Sequence, residues 1–177
     1  MNPFALVRKS IVMLVIRIGW LVKPGSVTPL IAHFLRSNGA HVEGMPNYIS
    51  AKVWFDGTDY SLISLGEGCT ISSNVRVLTH DAAINTVSKE MGIQFSSSYI
   101  RKRPVVIGRH CFVGTGSIIM PGAEIGAGSI VAAGSVVRGR IPPLSIVMGS
   151  PASVVGSVRE YVDRILSKEV QIPEQAD

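Results

Sequence analysis

The chain has 177 residues, a length that suits one domain with a sizeable core plus terminal decoration. Hydrophobic residues make up 46% and charged residues 16%, with 18 glycines, which excludes a disordered chain and favours a repetitive, turn-rich architecture. The net charge of +5 suits an anionic partner, but with 6% aromatics and no RNA- or DNA-binding signature around the basic residues, nucleic acid is set aside.

At the N-terminus, the apolar run from Ile11 to Val22 is broken by Arg17 and falls short of the roughly 20 residues a membrane-spanning helix needs. It has no small-residue cleavage site, so a secretory signal is not expected. A helix packed on its own domain is the expected reading, and Arg8, Lys9, Arg17 and Lys23 leave room for peripheral contact at the inner face of a membrane. Thr28-Pro29 reads as an N-cap followed by proline at the first helical position, and Asn38-Gly39 as a stop, which predicts a short helix over 29–37. His33 falls inside that helix and His41 in the connector after it; both are read as structural or solvent-facing.

An aliphatic residue then recurs every sixth position, at Leu65, Ile71 and Val77 and again at Ile107, Val113, Ile119, Ile125, Val131 and Val137. Val77 and Ile107 are thirty positions apart, a whole number of hexads, so both blocks share one phase. A second stripe lies four residues after each aliphatic: Cys69, Val75, Cys111, Ser117, Ala123, Ser129 and Ser135 are all compact, and Asp81 and Ile141 depart. Glycine follows the aliphatic at Gly66, Gly108, Gly114 and Gly126. A period of six fits neither a helix nor a simple alternating strand. It fits short strands joined by tight turns, three hexads to a triangular coil, with coils stacked so that equivalent aliphatics form ladders. Between the blocks, the segment from Asp81 to Pro104 is a long excursion of the kind that usually carries function. Beyond the coils, Ser157 and Glu160 form a capping-box pattern, and Val158, Tyr161, Val162, Ile165 and Leu166 recur at helical spacing, so a helix is expected to cap or brace the open end of the coil. The tail from Pro173 is expected to fray.

The stretch IGRHCFVGTGSIIMPGAEIGAGSIVAAGSVVRGRIPPLSIVMGSPASVV, with VRVLTHD before it, resembles the hexapeptide-repeat acyltransferase family, nearest its galactoside, maltose and polysaccharide O-acetyltransferase branch. The resemblance covers roughly residues 48–155. It implies an all-β fold, a left-handed parallel β-helix with short N-terminal helices and a C-terminal capping helix. The general rule for parallel crossovers predicts the opposite hand, so handedness comes from the resemblance alone. The implied organisation is an N-terminal helical segment over 1–47, the β-helix over 48–155 with an inserted loop at 82–104, and a C-terminal helix and tail over 156–177. The family uses acetyl-CoA as donor and forms homotrimers with active sites between adjacent coils.

His80 stands apart from the other histidines because the regular coil breaks immediately after it. Acyl transfer to a hydroxyl needs a base of near-neutral pKa, which histidine supplies. In the galactoside and maltose acetyltransferases a histidine just before the analogous loop does this work, and LTHD places His80 there. His110, within a regular hexad, reads as an outward turn position or as reaching a neighbouring subunit's site. Asp81 adjoins His80 but points to the opposite side of a strand, so it is expected to satisfy backbone donors where the loop departs. The orienting carboxylate is then sought elsewhere, with Asp56 and Asp59 of WFDGTDY as candidates; both are also grouped on the acceptor side with Asn74. Asn74 stands where the sugar-acetylating relatives place an acceptor-binding asparagine. Matching to the family puts Thr115, Ala133 and Gly134 along the pantetheine groove and the end motif at Pro151, while Arg138 and Arg140 suit the nucleotide's phosphates. The family's end motif usually reads G-N-P-A and a basic residue; here it is Gly149-Ser150-Pro151-Ala152-Ser153, so the basic contact is missing at Ser153. Phe112 replaces a frequent tryptophan and is expected to keep an aromatic wall.

Cys69 and Cys111 are too few for a disulfide framework and lack metal-ligand spacing, so a reducing, cytoplasmic setting without a metal is expected. A zinc site of the carbonic-anhydrase kind needs three histidines, and Thr115 stands five after His110 where one would be needed. The resulting expectation is an acetyl-CoA-dependent O-acetyltransferase acting on a sugar or polysaccharide precursor. Acylation of an amino sugar or serine, and a non-catalytic β-helix scaffold, are the rivals.

Overall fold

The computed structural model describes residues 14–16, 18–19, 23–57 and 59–169. Its body is a three-faced coil of short parallel strands. Face 1 stacks His41–Val42, Ile63–Leu65, Val105–Ile107, Glu124–Ile125 and Arg140–Ile141; face 2 stacks Tyr48–Ile49, Thr70–Ile71, Phe112–Val113, Ile130–Val131 and Ser145–Gly149; face 3 stacks Trp54–Phe55, Arg76–Val77, Ile118–Ile119 and Val136–Val137. The chain visits the faces in the order 1, 2, 3 on each turn. Registers such as Ile107 with Ile125 and Val113 with Val131 fix eighteen residues per turn, which is three hexads.

Both sequence stripes point inward. The ladder aliphatics from Leu65 to Val137 are buried, and so are the small residues Cys69, Val75, Cys111, Ser117, Ala123, Ser129 and Ser135. One large and one small inward residue per hexad suits a triangular section, and stacking the turns makes the core continuous. At the corners, the third residue after every ladder aliphatic except Val77 and Val137 has positive φ: Gly68, Asn74, His110, Gly116, Gly122, Gly128 and Gly134 all lie between 55° and 82°. Asn and His are among the few side chains that tolerate this region. The glycines directly after the aliphatics have another cause. A Cβ on Gly66 would sit 2.3 Å from the backbone N of Arg109, and one on Gly114 would sit 2.5 Å from that of Ala133, so no side chain fits between turns there.

Two expected boundaries shift. His41–Val42 already pairs with Ser64 and Leu65, so the first turn begins at 41, inside the 1–47 stretch assigned to a helical segment, and His41 lies on a strand rather than in a connector. At the other end, Ile141 pairs with Ile125 and thus rejoins the ladder; the hexad between Val137 and Ile141 is simply two residues short.

Helix α1, Thr28–Ser37, buries Thr28, Ile31, Ala32, Phe34 and Leu35 and packs on the first turn, closing that end of the coil. Thr28 is not its N-cap. The 3-10 turn Pro24–Val27 runs directly into the helix, Val27 takes the cap position, and the buried Thr28 Oγ1 accepts a hydrogen bond from Ile49 N at 3.0 Å. Ahead of it, residues 14–16 and 18–19 are helical, with Ile16 in the core and Leu14, Val15 and Ile18 exposed. Arg8, Lys9 and Arg17 lie outside the described residues, as does the tail from Pro173. No helix among the described residues is long and apolar enough to cross a membrane.

The excursion from the coil forms helix α2, Ile84–Val87, and a 3-10 turn, Ser88–Met91, and returns as Arg101–Lys102, antiparallel to His80–Asp81. After the last parallel strand, Ser145–Gly149 pairs antiparallel with Ala152–Ser157, and helix α3, Val158–Glu169, follows. Ser157 Oγ accepts from Arg159 N at 3.2 Å, an N-cap contact. Instead of burying its stripe on the coil's open end, α3 contacts mainly the Ala152–Ser157 strand and leaves Tyr161, Val162, Ile165 and Leu166 exposed.

Candidate active site

His80 sits at the corner between faces 3 and 1, at the phase where the other corners carry a positive-φ residue and where the excursion leaves instead. Its ring is about one-third exposed, and Nδ1 hydrogen-bonds Asp56 Oδ2. Asp56 lies on the preceding turn directly after the Trp54–Phe55 strand, and it is 1% exposed. The same Oδ2 accepts from Thr79 N at 3.1 Å and Thr79 Oγ1 at 2.9 Å. Thr79 is itself fully buried. A buried carboxylate is tolerated only with such donors around it. A carboxylate can only accept, so the imidazole proton belongs on Nδ1 and the lone pair on Nε2, the atom left for chemistry.

Asp56 therefore cannot touch an acceptor, contrary to its grouping with acceptor contacts; it is sealed beneath His80 and holds the ring. Asp59 is occupied too. Its Oδ1 accepts from Ser61 N at 3.2 Å and Ser61 Oγ at 2.6 Å, and its Oδ2 lies 3.3 Å from Lys102 Nζ. The Ser61 and Lys102 contacts hold the exposed Asp59 carboxyl below the usual range. Lys102 is the strand partner of His80, so Asp59 ties the returning end of the excursion to the first turn. Asp81 Oδ1 accepts from Ala83 N at 2.8 Å, the backbone role expected of it. Half-buried Tyr60 stands near Asp56, and burial together with that carboxylate raises its phenol pKa. Its ring meets Phe34 edge to face at 5.7 Å, so α1 reaches toward the carboxylate's surroundings.

The other expected residues fall in two places. Asn74 is an exposed corner residue between faces 2 and 3, with φ 60°, in line with Gly116 and Gly134; Thr115 and Ala133 belong to the same corner. The Thr115 carbonyl already accepts from Gly134 N at 2.8 Å. Arg138 stands exposed at the opposite edge of face 3, below the His80 corner, and Arg140 is exposed on the adjoining face 1 strand, its Nε 4.0 Å from Glu124. These two groups thus flank face 3 and do not meet. Pro151 is in the hairpin turn between Ser145–Gly149 and Ala152–Ser157. Phe112 projects from face 2 into a groove of about 780 Å³ with Ile130, Ile146 and Tyr161, so its aromatic wall faces α3 and not His80. His110 lies at the corner between faces 1 and 2, its ring over Gly68.

Burial and the neighbouring Cys111 thiol push the Cys69 thiol up to about 12, and burial raises that of Cys111. Neither is suited to nucleophilic attack. No group of three or more metal-ligating side chains occurs among the described residues.

Fold and site define a three-faced parallel β-helix in which the corner where the excursion leaves carries a histidine held by a buried carboxylate. The family model "Bacterial transferase hexapeptide (six repeats)" matches residues 104–139. Protein CapG of Staphylococcus aureus is 34% identical over 132 residues, covering 75% of this chain and 74% of CapG. The chain belongs to the hexapeptide-repeat transferase family. Nodulation protein L of Rhizobium meliloti (strain 1021) is 43% identical over 98 residues, 55% of this chain and 50% of that protein, so the chain spans about half the length of this relative. Among solved structures, a hexapeptide-repeat acetyltransferase of Vibrio cholerae O1 biovar eltor, complexed with acetyl coenzyme A, superposes with a TM-score of 0.50 at 28% identity, over 60% of this chain and 54% of that one.

Proposed function

We propose that the protein transfers an acetyl group from acetyl-CoA to a hydroxyl of a sugar or polysaccharide precursor, with His80 as general base. The observation that carries this reading is the His80–Asp56 pair at the corner where the excursion leaves the coil. Likeness to an acetyltransferase complexed with acetyl coenzyme A supports the donor. Nε2 takes the acceptor hydroxyl proton as the oxygen adds to the thioester carbonyl. The tetrahedral adduct collapses by breaking the carbon–sulfur bond, and the imidazolium returns its proton to the departing thiolate. No covalent enzyme intermediate is needed.

The two edges of face 3 carry residues suited to a thin, anionic-headed donor. A Cβ added at Gly116 or Gly134 would meet nothing within 4 Å, so the corner with Thr115 and Ala133 is open, and exposed Arg138 and Arg140 on the other edge suit phosphates. Asn74 at the top of the open corner is assigned to the acceptor side, and Pro151 shapes the adjoining hairpin. In keeping with the family, the coil is taken as left-handed and the assembly as a cytoplasmic homotrimer. The exposed stripe of α3 and the face 2 groove supply the apolar surface such packing would cover. Light scattering should give three times the protomer mass, and a fully active monomer would overturn the trimer.

The test of activity is release of CoA thiol from acetyl-CoA, measured with a panel of neutral, acidic and amino sugars and serine. Release is expected with hydroxyl acceptors. Transfer confined to amines would replace the O-acetyl assignment, and no transfer to any acceptor would leave a scaffold.

A further inference from the structure

We infer that Trp54 and Arg76 form the platform on which the acceptor rests, and that this acceptor is a sugar carrying an anionic group, a carboxylate or a phosphate. The inference rests on the reading of His80 as the base. Trp54 and Arg76 are register partners on adjoining parallel strands of face 3. Alternation along the strands turns both side chains outward, with Val77 buried beneath Arg76. Their backbones are about 4.8 Å apart, so the indole and the guanidinium leave the sheet from neighbouring positions.

The same two strands then deliver the catalytic pair. Asp56 comes two residues after Trp54, about 7 Å along an extended chain, and His80 comes four after Arg76, within about 14 Å. A platform at that separation suits an acceptor of one or two sugar rings with a hydroxyl at Nε2. Lower on the same outward row stand only Ile118 and Val136, so the aromatic and the cation are confined to the two turns that build the His80–Asp56 pair. Trp54 leaves half its surface in solvent, an unusual exposure for the largest apolar ring. Among the described residues, no carboxylate lies within ion-pair distance of Arg76, whereas Lys102 and Arg140 each have one. An indole face offers a sugar ring a flat apolar surface, and a guanidinium offers a carboxylate or phosphate two parallel hydrogen bonds.

The experiment compares glucuronate, glucose 6-phosphate and glucose as probes. Saturation-transfer NMR on the full chain reads binding without turnover, and thiol release reads acceptor KM. Wild type should bind at least one of the two anions more tightly than glucose, and the stronger of them identifies the anionic group. Arg76→Gln should raise KM for that anion about ten- to hundredfold, as loss of a charged hydrogen-bonding pair implies, and erase the preference over glucose. Its KM for acetyl-CoA should stay within a factor of two. Trp54→Ala should weaken all three probes. Arg76→Lys, which keeps the charge and the fold but not the fork, should recover part of the preference. Equal binding of glucose and both anions by the wild type, or an unchanged preference in a folded Arg76→Gln, overturns the proposal. Anion binding lost in Trp54→Ala without any thiol release would uphold the platform and overturn acetyl transfer instead.

Discussion

His80→Ala is expected to lower kcat by on the order of a hundredfold or more, the usual loss when a positioned base is removed. The KM for acetyl-CoA should change little, because the donor's proposed contacts lie along the flanks of face 3. The expectation follows from how His80 is held. Nδ1 is committed to Asp56, the ring is partly exposed, and Nε2 is the nitrogen that remains for a substrate proton. Alanine also leaves the buried Asp56 without its imidazole partner, so some loss of stability should accompany the loss of rate. His80→Asn separates the two effects: its amide can still donate toward Asp56, but it has no basic nitrogen. Both variants should show the same kinetic defect in the thiol-release assay, with the asparagine variant melting closer to wild type. A near-normal kcat in either would remove His80 from the mechanism.

Asp56→Asn is expected to cost roughly ten- to a hundredfold in kcat, although residue 56 never meets a substrate. Oδ2 of the carboxylate accepts from Thr79 N, Thr79 Oγ1 and His80 Nδ1 together. All three donors meet on that one oxygen, so an amide whose oxygen takes its place keeps all three contacts, and Thr79 N–H, which can only donate, holds the amide in that orientation. What is lost is the negative charge that steadies the imidazolium formed when Nε2 takes the acceptor proton. Nitrogen-15 NMR of the His80 ring should show the proton still on Nδ1 alongside the lost rate, which assigns the defect to charge and not to a turned ring. A variant with near-normal kcat would show that Asp56 merely fills space.

The coil was legible because its physics is periodic. A six-residue repeat places one large and one small residue inside on every face, and those positions are the ones found buried from Leu65 to Val137. The point where the chain leaves that phase also marked His80. The first turn was harder to see. Val42, Ile49 and Phe55 pair with Leu65, Ile71 and Val77 across 22 or 23 residues in place of eighteen, because the 3-10 turn Tyr60–Leu62 and its approach lengthen the passage. Asp56 belongs to that irregular turn, so its position over His80 had no periodic signature, and two aspartates three residues apart looked equivalent. Thr79 had none either: the corresponding residue of a regular hexad is a turn position such as Ser73 or Thr115, and it becomes buried only because the chain departs after it. The exposed stripe of α3 read as a cap because spacing reports an apolar face and not what covers it.

The excursion departs and returns at one point. His80–Asp81 and Arg101–Lys102 zip together, and Arg103 N closes the gap on Thr79 O at 2.8 Å, after which Val105 pairs with Ile63. Such a neck makes the segment a removable cassette. Lengthening or rewriting residues 82–100 adds only a slowly growing closure entropy and leaves the ladder spacing on either side unchanged. The fold thereby separates two kinds of inheritance: the His80–Asp56–Thr79 lock is fixed by stacked turns, while the surface above it can diversify by exchanging one loop.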